Sequence, residues 1–169
     1  DMILAYHNTN NYLSEYSLYD QYESLAKRLD RDKTEDYWSY LSLKCEALTY
    51  LYKSAEHEAA VRNWGALTEE LYGKNSRQAL MYTFQVANQH ESIDEHSEAL
   101  AGIDHCLRII NSGEFTFDGK ADSLLFMSVI HNLEGMAYIS SDTQRAEKAL
   151  LSAIEENRMI GKNDYAPTL

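Results

Sequence analysis

Four side chains between positions 90 and 105 are of the types that bind transition metals. They are His90, Asp94, His96 and His105, and imidazole and carboxylate groups suit such ions. His90, however, takes the place of an aromatic residue in the internal repeat described below, and His96 falls in a turn. Packing at the aromatic position of the repeat explains His90, and solvent exposure in a turn explains His96, better than metal ligation does. We therefore expect no bound metal.

The other patterns that could support catalysis are incomplete. His57-Glu58 has no second histidine three residues after the glutamate, which the zinc-binding pattern H-E-x-x-H requires. Gly73-Lys74 lacks the upstream glycine of a phosphate-binding loop and follows a predicted helix rather than a strand. Paired glutamates fall on predicted outer faces, where nothing raises a pKa for acid–base work. We therefore expect no enzyme activity and no cofactor.

Composition favours a single helical domain that binds neither nucleic acid nor membrane. One proline and seven glycines in 169 residues are too few for the many tight turns of an all-β fold. Fifteen basic against 27 acidic side chains give a formal charge of −12, which disfavours nucleic acid and anionic membrane surfaces as partners. No apolar run approaches the roughly 20 residues of a membrane span. The compartment is undefined, with the cytoplasm slightly favoured over a periplasmic part of a membrane protein, and the oligomeric state is also undefined.

Cysteines and tyrosines can both serve chemistry, but their placement favours packing. Cys45 and Cys106 fall in helical apolar patterns and outside any C-x-x-C pair, so we expect two small buried hydrophobic residues. Nine of the thirteen tyrosines lie in the first 52 residues. We expect them to serve mainly as core residues, with a tyrosine-rich binding surface as the alternative.

Apolar residues recur at helical spacing along the whole chain. Near the start, one helix face is predicted from the spacing i, i+4, i+7 and i+11 of Leu18, Tyr22, Leu25 and Leu29. Thr34 and Asp142 are placed to cap helix N-termini. Gly73, Gly113 and Gly161 are placed to end helices, because glycine readily adopts the left-handed conformation that is common there. The predicted helix pairs occupy residues 1–33, 37–73, 76–113 and 121–161.

An internal repeat accompanies these helices. Ala47 and Ala87 are 40 residues apart, and the same offset links Tyr50 to His90, Ala59 to Ala99, Ala66 to Cys106 and Leu67 to Leu107. Small residues at this spacing are expected where the two helices of a pair cross closely. A third copy starts at Asn132, continues to Tyr138, and then places Ala146 and Ala153 at the small positions.

This pattern resembles the tetratricopeptide repeat (TPR) family, in which a small residue, an aromatic and two further small residues recur in each helix pair. The resemblance implies an all-α, right-handed superhelical solenoid of about four repeats, forming a single domain over residues 1–169. An unrelated helical bundle is the alternative fold. The ending 164–169 is similar to a link into a further repeat, so we expect the chain to be part of a longer protein.

In TPR proteins the first helix of each pair usually lines a concave groove that holds a peptide or a partner helix. Carried over by position, the resemblance implies a protein- or peptide-binding face made of Leu41, Lys44, Leu48, Tyr52, Met81, Phe84, Asn88, Glu91, Asn132, Met136 and Ile139. We therefore expect a protein-interaction scaffold. The alternative is a sensory or regulatory input region of a larger bacterial signalling or transcriptional-regulatory protein.

Overall fold

The computed structural model describes residues 2–162, and within this range every regular element is an α-helix. The predicted all-α class is therefore confirmed. The predicted link at 164–169 lies outside the described residues. The chain divides into two compact units, Asp1–Lys74 and Asn75–Leu169.

The first unit contains three short helices followed by one pair of long helices. Its helices are α1 (Met2–His7), α2 (Tyr12–Tyr16), α3 (Tyr19–Arg28), α4 (Glu35–Tyr50) and α5 (Ser54–Tyr72). Helices α4 and α5 pack against each other, and the connection of three residues makes them antiparallel neighbours. Thr34 caps α4 as predicted, since its hydroxyl accepts a hydrogen bond from the Tyr37 amide at 3.3 Å.

The predicted face of the segment before residue 33 is wrong at Leu25 and Leu29, although Tyr22 of that face does pack inward. Leu25 and Leu29 are exposed, whereas Tyr19 and Ala26 are the buried residues of α3. The physical reason is aromatic packing, because the Tyr22 ring lies 4.4 Å from the Tyr40 ring of α4, measured between centroids. This contact turns the tyrosine side of α3 inward and the leucine side outward.

The second unit is built from two helix pairs. They are α6 (Arg77–Ser92) with α7 (His96–Asn111), and α8 (Lys120–Tyr138) with α9 (Thr143–Lys162). Helix α8 also contacts α6 and α7. The loop after α7 turns at Gly113 (φ +77°) and brings Phe115 into the core. Gly161 lies inside α9 and does not end it, contrary to the prediction.

The repeat between the two units has an offset of 42 residues rather than 40. Helices α4 and α6 begin at Glu35 and Arg77 (77 − 35 = 42) and have the same length, and α5 and α7 also begin 42 residues apart. The turns inside the pairs match in the same register, because the left-handed residues are Tyr52 (φ +55°) and Asp94 (φ +63°). Burial follows this offset in the pairs Tyr37/Ala79, Cys45/Ala87, Ala47/Gln89, His57/Ala99, Trp64/Cys106 and Leu67/Ile109.

The corrected register changes which residues sit at the helix crossings. A Cβ atom on Gly102 would lie 2.6 Å from Cβ of Ala87, so α6 and α7 cross closely at this point. The equivalent residues of the first unit are Cys45 and Ala60, both buried. Ala66, which the 40-residue offset places at a crossing, is exposed.

The third helix pair keeps the predicted small residues. Ala146 and Ala153 of α9 are buried. A Cβ atom on Gly135 of α8 would lie 3.3 Å from the Ala146 carbonyl oxygen and 2.6 Å from Cγ of Leu150. The small-residue pattern therefore marks the close approach of α8 and α9.

Candidate functional site

A buried carboxylate lies at the centre of the first unit. Glu15 of α2 is fully buried, accepts a hydrogen bond from the Tyr19 hydroxyl at 2.7 Å, and lies 3.0 Å from Nδ1 of His7. The other ring nitrogen of His7 is 3.6 Å from a carboxylate oxygen of Glu46 on α4. Because a buried carboxylate is costly unless it is hydrogen-bonded, these contacts fix α1 and α2 in place. The cluster resembles a catalytic constellation in its residue types, but it is closed to solvent at Glu15.

A second polar cluster joins α3 to α4. Glu23 accepts a hydrogen bond from the Tyr40 hydroxyl at 2.9 Å and forms an ion pair with Lys44. The Lys44 ammonium also lies 5.2 Å above the Tyr19 ring centroid. Burial, the Glu15 hydrogen bond and nearby charge raise the pKa of Tyr19. Burial and the Glu23 charge raise the pKa of Tyr40, so both hydroxyls stay protonated as donors.

An open cleft of about 520 Å³ lies beside these clusters and is lined by residues of α1, α3 and α4. Helix α1 forms one edge and α3 contributes an aromatic ring. The side chains that line the cleft are Ile3, Leu4, Tyr22, Asp36, Trp38, Ser39, Tyr40, Ser42 and Leu43. A concave, mainly apolar site with a few polar groups has the general character of ligand sites.

The corrected register relates this cleft to the second unit. With an offset of 42, Ser39 and Leu43 of α4 are equivalent to Met81 and Gln85 of α6. Met81 is one of the residues predicted to contact a partner. The cleft therefore includes Ser39, the α4 residue equivalent to Met81, which lies two positions before Leu41, the residue that the 40-residue offset pairs with Met81.

That shift explains where the predicted residues of the first unit lie. Leu41 and Leu48 are core residues with exposed fractions of 2% and 0%, so neither is available at the surface. Lys44 is engaged by Glu23, as described above. Tyr52 is 84% exposed, but it occupies the left-handed position of the α4–α5 turn rather than a helix face.

In the second unit the predicted residues are mostly accessible. Asn88 is exposed, Met81 and Glu91 are half-buried, and Phe84 packs against the edge of the core. The predicted residues of α8 are Asn132, Met136 and Ile139, and all three are exposed.

These three residues belong to a stripe along α8 that also includes Leu125. The spacing from 125 to 132, 136 and 139 is that of one helix face, and Leu125, Met136 and Ile139 are exposed by 43%, 38% and 62%. Leu125 was not predicted, although its spacing of seven residues from Asn132 was available in the sequence. We refer to Leu125, Asn132, Met136 and Ile139 as the α8 stripe.

The residues considered for metal binding and nucleophilic chemistry have other surroundings. In the described part of the chain, no group of three or more His, Cys, Asp or Glu side chains could hold a metal ion. His90 lies 2.6 Å from Glu95, across the α6–α7 turn. Cys45 and Cys106 are buried free thiols, and burial raises the pKa of each to about 12. Neither thiol is in a position to act as a thiolate nucleophile at neutral pH.

Compared with protein-family models, curated proteins and solved structures, the chain shows no match. No helix within residues 2–162 is long and apolar enough to cross a membrane. The inference of function therefore depends on the geometry of the two units and on the repeat that relates them.

Proposed function

We propose that the chain is a protein-interaction scaffold that binds peptide or helical segments through the concave face formed by the first helix of each helix pair. The repeats would be α4–α5, α6–α7 and α8–α9. The resemblance to the TPR family, with its right-handed superhelical stacking, is part of this proposal. The role is binding rather than catalysis, since the ionisable groups clustered around Glu15 and Glu23 already make hydrogen bonds and ion pairs within the first unit.

The observation that carries the proposal is the equivalence of accessible faces. The α4 face that lines the cleft and the α6 face with Met81 and Asn88 correspond in the 42-residue register, and α8 adds an exposed apolar stripe. Accessible apolar side chains grouped with amides are typical of surfaces that accept a helix or an extended peptide.

The α8 stripe offers a direct test. We expect the variant Met136→Asp/Ile139→Asp to lose a partner that the unaltered chain retains from an extract of the source cells, because charge at the centre of an apolar contact is strongly unfavourable. Retained proteins are compared by quantitative mass spectrometry.

A matched control is available on α9. Leu151 and Ile154 are exposed by 57% and 60%, similar to Ile139, so Leu151→Asp/Ile154→Asp introduces the same charge on a face outside the proposal. We expect this control to retain the partner. Equal retention or equal loss by both variants, with unchanged circular dichroism, would contradict the assignment of the α8 stripe.

A further inference from the structure

The lining of the first unit's cleft combines aliphatic and aromatic residues. Ile3 and Leu4 of α1 and Leu43 of α4 are the aliphatic ones, and Tyr22, Trp38 and Tyr40 are the aromatic ones. Its volume of about 520 Å³ falls within the range of roughly 300–1,000 Å³ that is typical of ligand sites. It is therefore large enough for two or three side chains of a peptide, and its apolar lining favours an aliphatic or aromatic one.

The ionic character of the cleft is negative. Among the described residues that line it, Asp36 alone has a carboxylate or a basic group, and hydroxyl groups come from Ser39 and Ser42. Burial raises the pKa of Tyr22, and the Asp36 charge raises it further, so this phenol stays protonated at neutral pH. The groups around the cleft thus offer hydrogen bonds and one negative charge.

The existing partner of Asp36 is weakly held. Nη1 of Arg31 lies 4.0 Å from Oδ2 of Asp36, and the two side chains are 69% and 82% exposed. An ion pair between such exposed groups contributes little to stability, so a cation from another molecule can replace it at small cost. Beyond the cleft, residues 1–74 carry eight basic and thirteen acidic side chains, a formal charge of −5. This field attracts positively charged segments and repels acidic ones.

From these observations we infer that the cleft binds a short peptide segment in which an aliphatic or aromatic side chain lies beside a lysine or arginine. The apolar side chain would contact Leu4 and Leu43, and the cation would pair with Asp36. The inference depends on the proposed function and specifies the chemistry of the partner at one of its faces.

Selection from a random heptapeptide phage library, with the full chain immobilised, tests this directly. We expect the selected peptides to be enriched in lysine or arginine next to leucine, isoleucine or phenylalanine. The same selection on Asp36→Asn should lose the enrichment in basic residues and keep the apolar enrichment. Enrichment in acidic residues, in apolar residues alone, or in no peptide would overturn the inference.

A selected peptide is then measured by fluorescence anisotropy. Asp36→Asn should weaken binding about threefold to fivefold, the effect of losing one solvent-screened ion pair, and added salt should reduce the difference. The matched control is Glu58→Gln, because Glu58 is 70% exposed and lies 3.6 Å from Arg62 in a similar loose pair on α5. It should bind like the unaltered chain.

The apolar contact has its own pair of variants. Leu4→Ser removes an exposed leucine that lines the cleft, and Leu13→Ser removes an exposed leucine outside the lining. Only the first should weaken binding. Equal affinities for Asp36→Asn, Leu4→Ser and their controls would disprove the inference about the cleft. The proposed function would still stand if the α8 variant loses its partner, so the two failures are distinguishable.

Discussion

The two units of this chain share an equivalent helix pair, α4–α5 in the first and α6–α7 in the second, but their cores differ in composition. Helix α4 matches α6 in length, α5 and α7 begin at the same offset of 42 residues, and the equivalent turns adopt the same left-handed conformation. In the first unit the core includes tyrosine rings and the ionisable side chains Glu15 and His57. In the second unit, the described core is aliphatic with phenylalanine, and its buried polar residues, Thr83, Gln89 and Ser128, are uncharged.

This difference shows that helix pairs of similar geometry can be stabilised by different kinds of core interaction. An apolar core depends on close packing, which the second unit achieves where Gly102 meets Ala87. A core with hydroxyls and carboxylates depends on satisfying each polar group, because an unpaired one is costly. The first unit should therefore be more sensitive to the loss of a hydrogen-bond partner and to pH.

The largest effect of a single substitution is expected from Glu15→Ala. Removing this carboxylate leaves the buried Tyr19 hydroxyl without its acceptor and His7 without its nearest carboxylate, which should lower the free energy of unfolding by about 3 kcal/mol. Both tryptophans of the chain, Trp38 and Trp64, lie in the first unit. Tryptophan fluorescence during urea unfolding therefore reports on that unit.

Glu15→Gln serves as the comparison, because the amide oxygen can still accept the Tyr19 hydrogen bond. We expect it to cost about 1 kcal/mol. If the alanine variant is as stable as the unaltered chain, the buried carboxylate does not hold the first unit together.

The next prediction concerns alkaline pH, which should destabilise the first unit more than the second. Burial raises the pKa values of Tyr19 and Tyr40, and it raises that of Tyr37 to about 12. The stability that these neutral phenols provide is complete below pH 10 and declines above it, because the unfolded phenols ionise near pH 10 while the folded ones do not. Each adds at most about 1.4 kcal/mol per pH unit to the decline.

Urea unfolding at pH 8 and at pH 11 measures this effect. The transition followed by tryptophan fluorescence should move to lower urea by more than the part of the circular dichroism change that does not coincide with it. Cys45 and Cys106 add one buried thiol to each unit, so their contributions are matched. Tyr19→Phe should reduce the alkaline decline, and an identical decline in both units would contradict the contrast between their cores.

A smaller effect on stability should show whether the close helix crossings follow the 42-residue or the 40-residue offset. Ala60 is buried at the position equivalent to Gly102, whereas Ala66 of the same helix is exposed. Ala60→Leu should therefore cost about 2 kcal/mol through overpacking, and Ala66→Leu should change stability by less than about 0.5 kcal/mol. The reverse order would restore the 40-residue register.

The sequence predicted features that depend on local interactions and missed those that depend on distant segments. Thr34 was identified as a cap because capping involves residues only three positions apart. The face of α3 was wrong because Tyr40, far along the chain, decides which side of α3 is buried. Ala47 and Ala87 suggested the 40-residue offset since both are small residues in helical patterns, although they occupy different positions in their helices.

The cleft could not be predicted for a similar reason. Its lining combines α1, α3 and α4, and the contacts among these helices depend on the tyrosine packing. On α8 the prediction was closer to the structure, because Asn132, Met136 and Ile139 share one exposed face that helical spacing alone defines.

The smallest expected effect concerns the ion pair that joins α6 to α8 in the second unit. Nη1 and Nη2 of Arg77 donate to the carboxylate of Asp122 at 2.6 and 2.8 Å, and the Asp118 amide adds a hydrogen bond at 3.0 Å. The arginine hydrogen bonds, more than any other contact, hold the pKa of Asp122 below its ordinary value of 3.8. Because the pair is partly exposed, Asp122→Asn should cost only about 1 kcal/mol at pH 7.

The acid dependence of this difference is the decisive measurement. A carboxyl group whose pKa is lowered by folding provides its full stabilisation above the ordinary value, and this stabilisation is lost as pH falls through the lower, folded value. The stability gap between Asp122→Asn and the unaltered chain, followed by circular dichroism, should therefore be constant from pH 7 to 5 and close below pH 3.8. The exposed Asp104→Asn should show no gap at any pH. A gap for Asp122→Asn that is larger than the loss for Glu15→Ala would mean that the second unit, despite its apolar core, depends more on charge than the first.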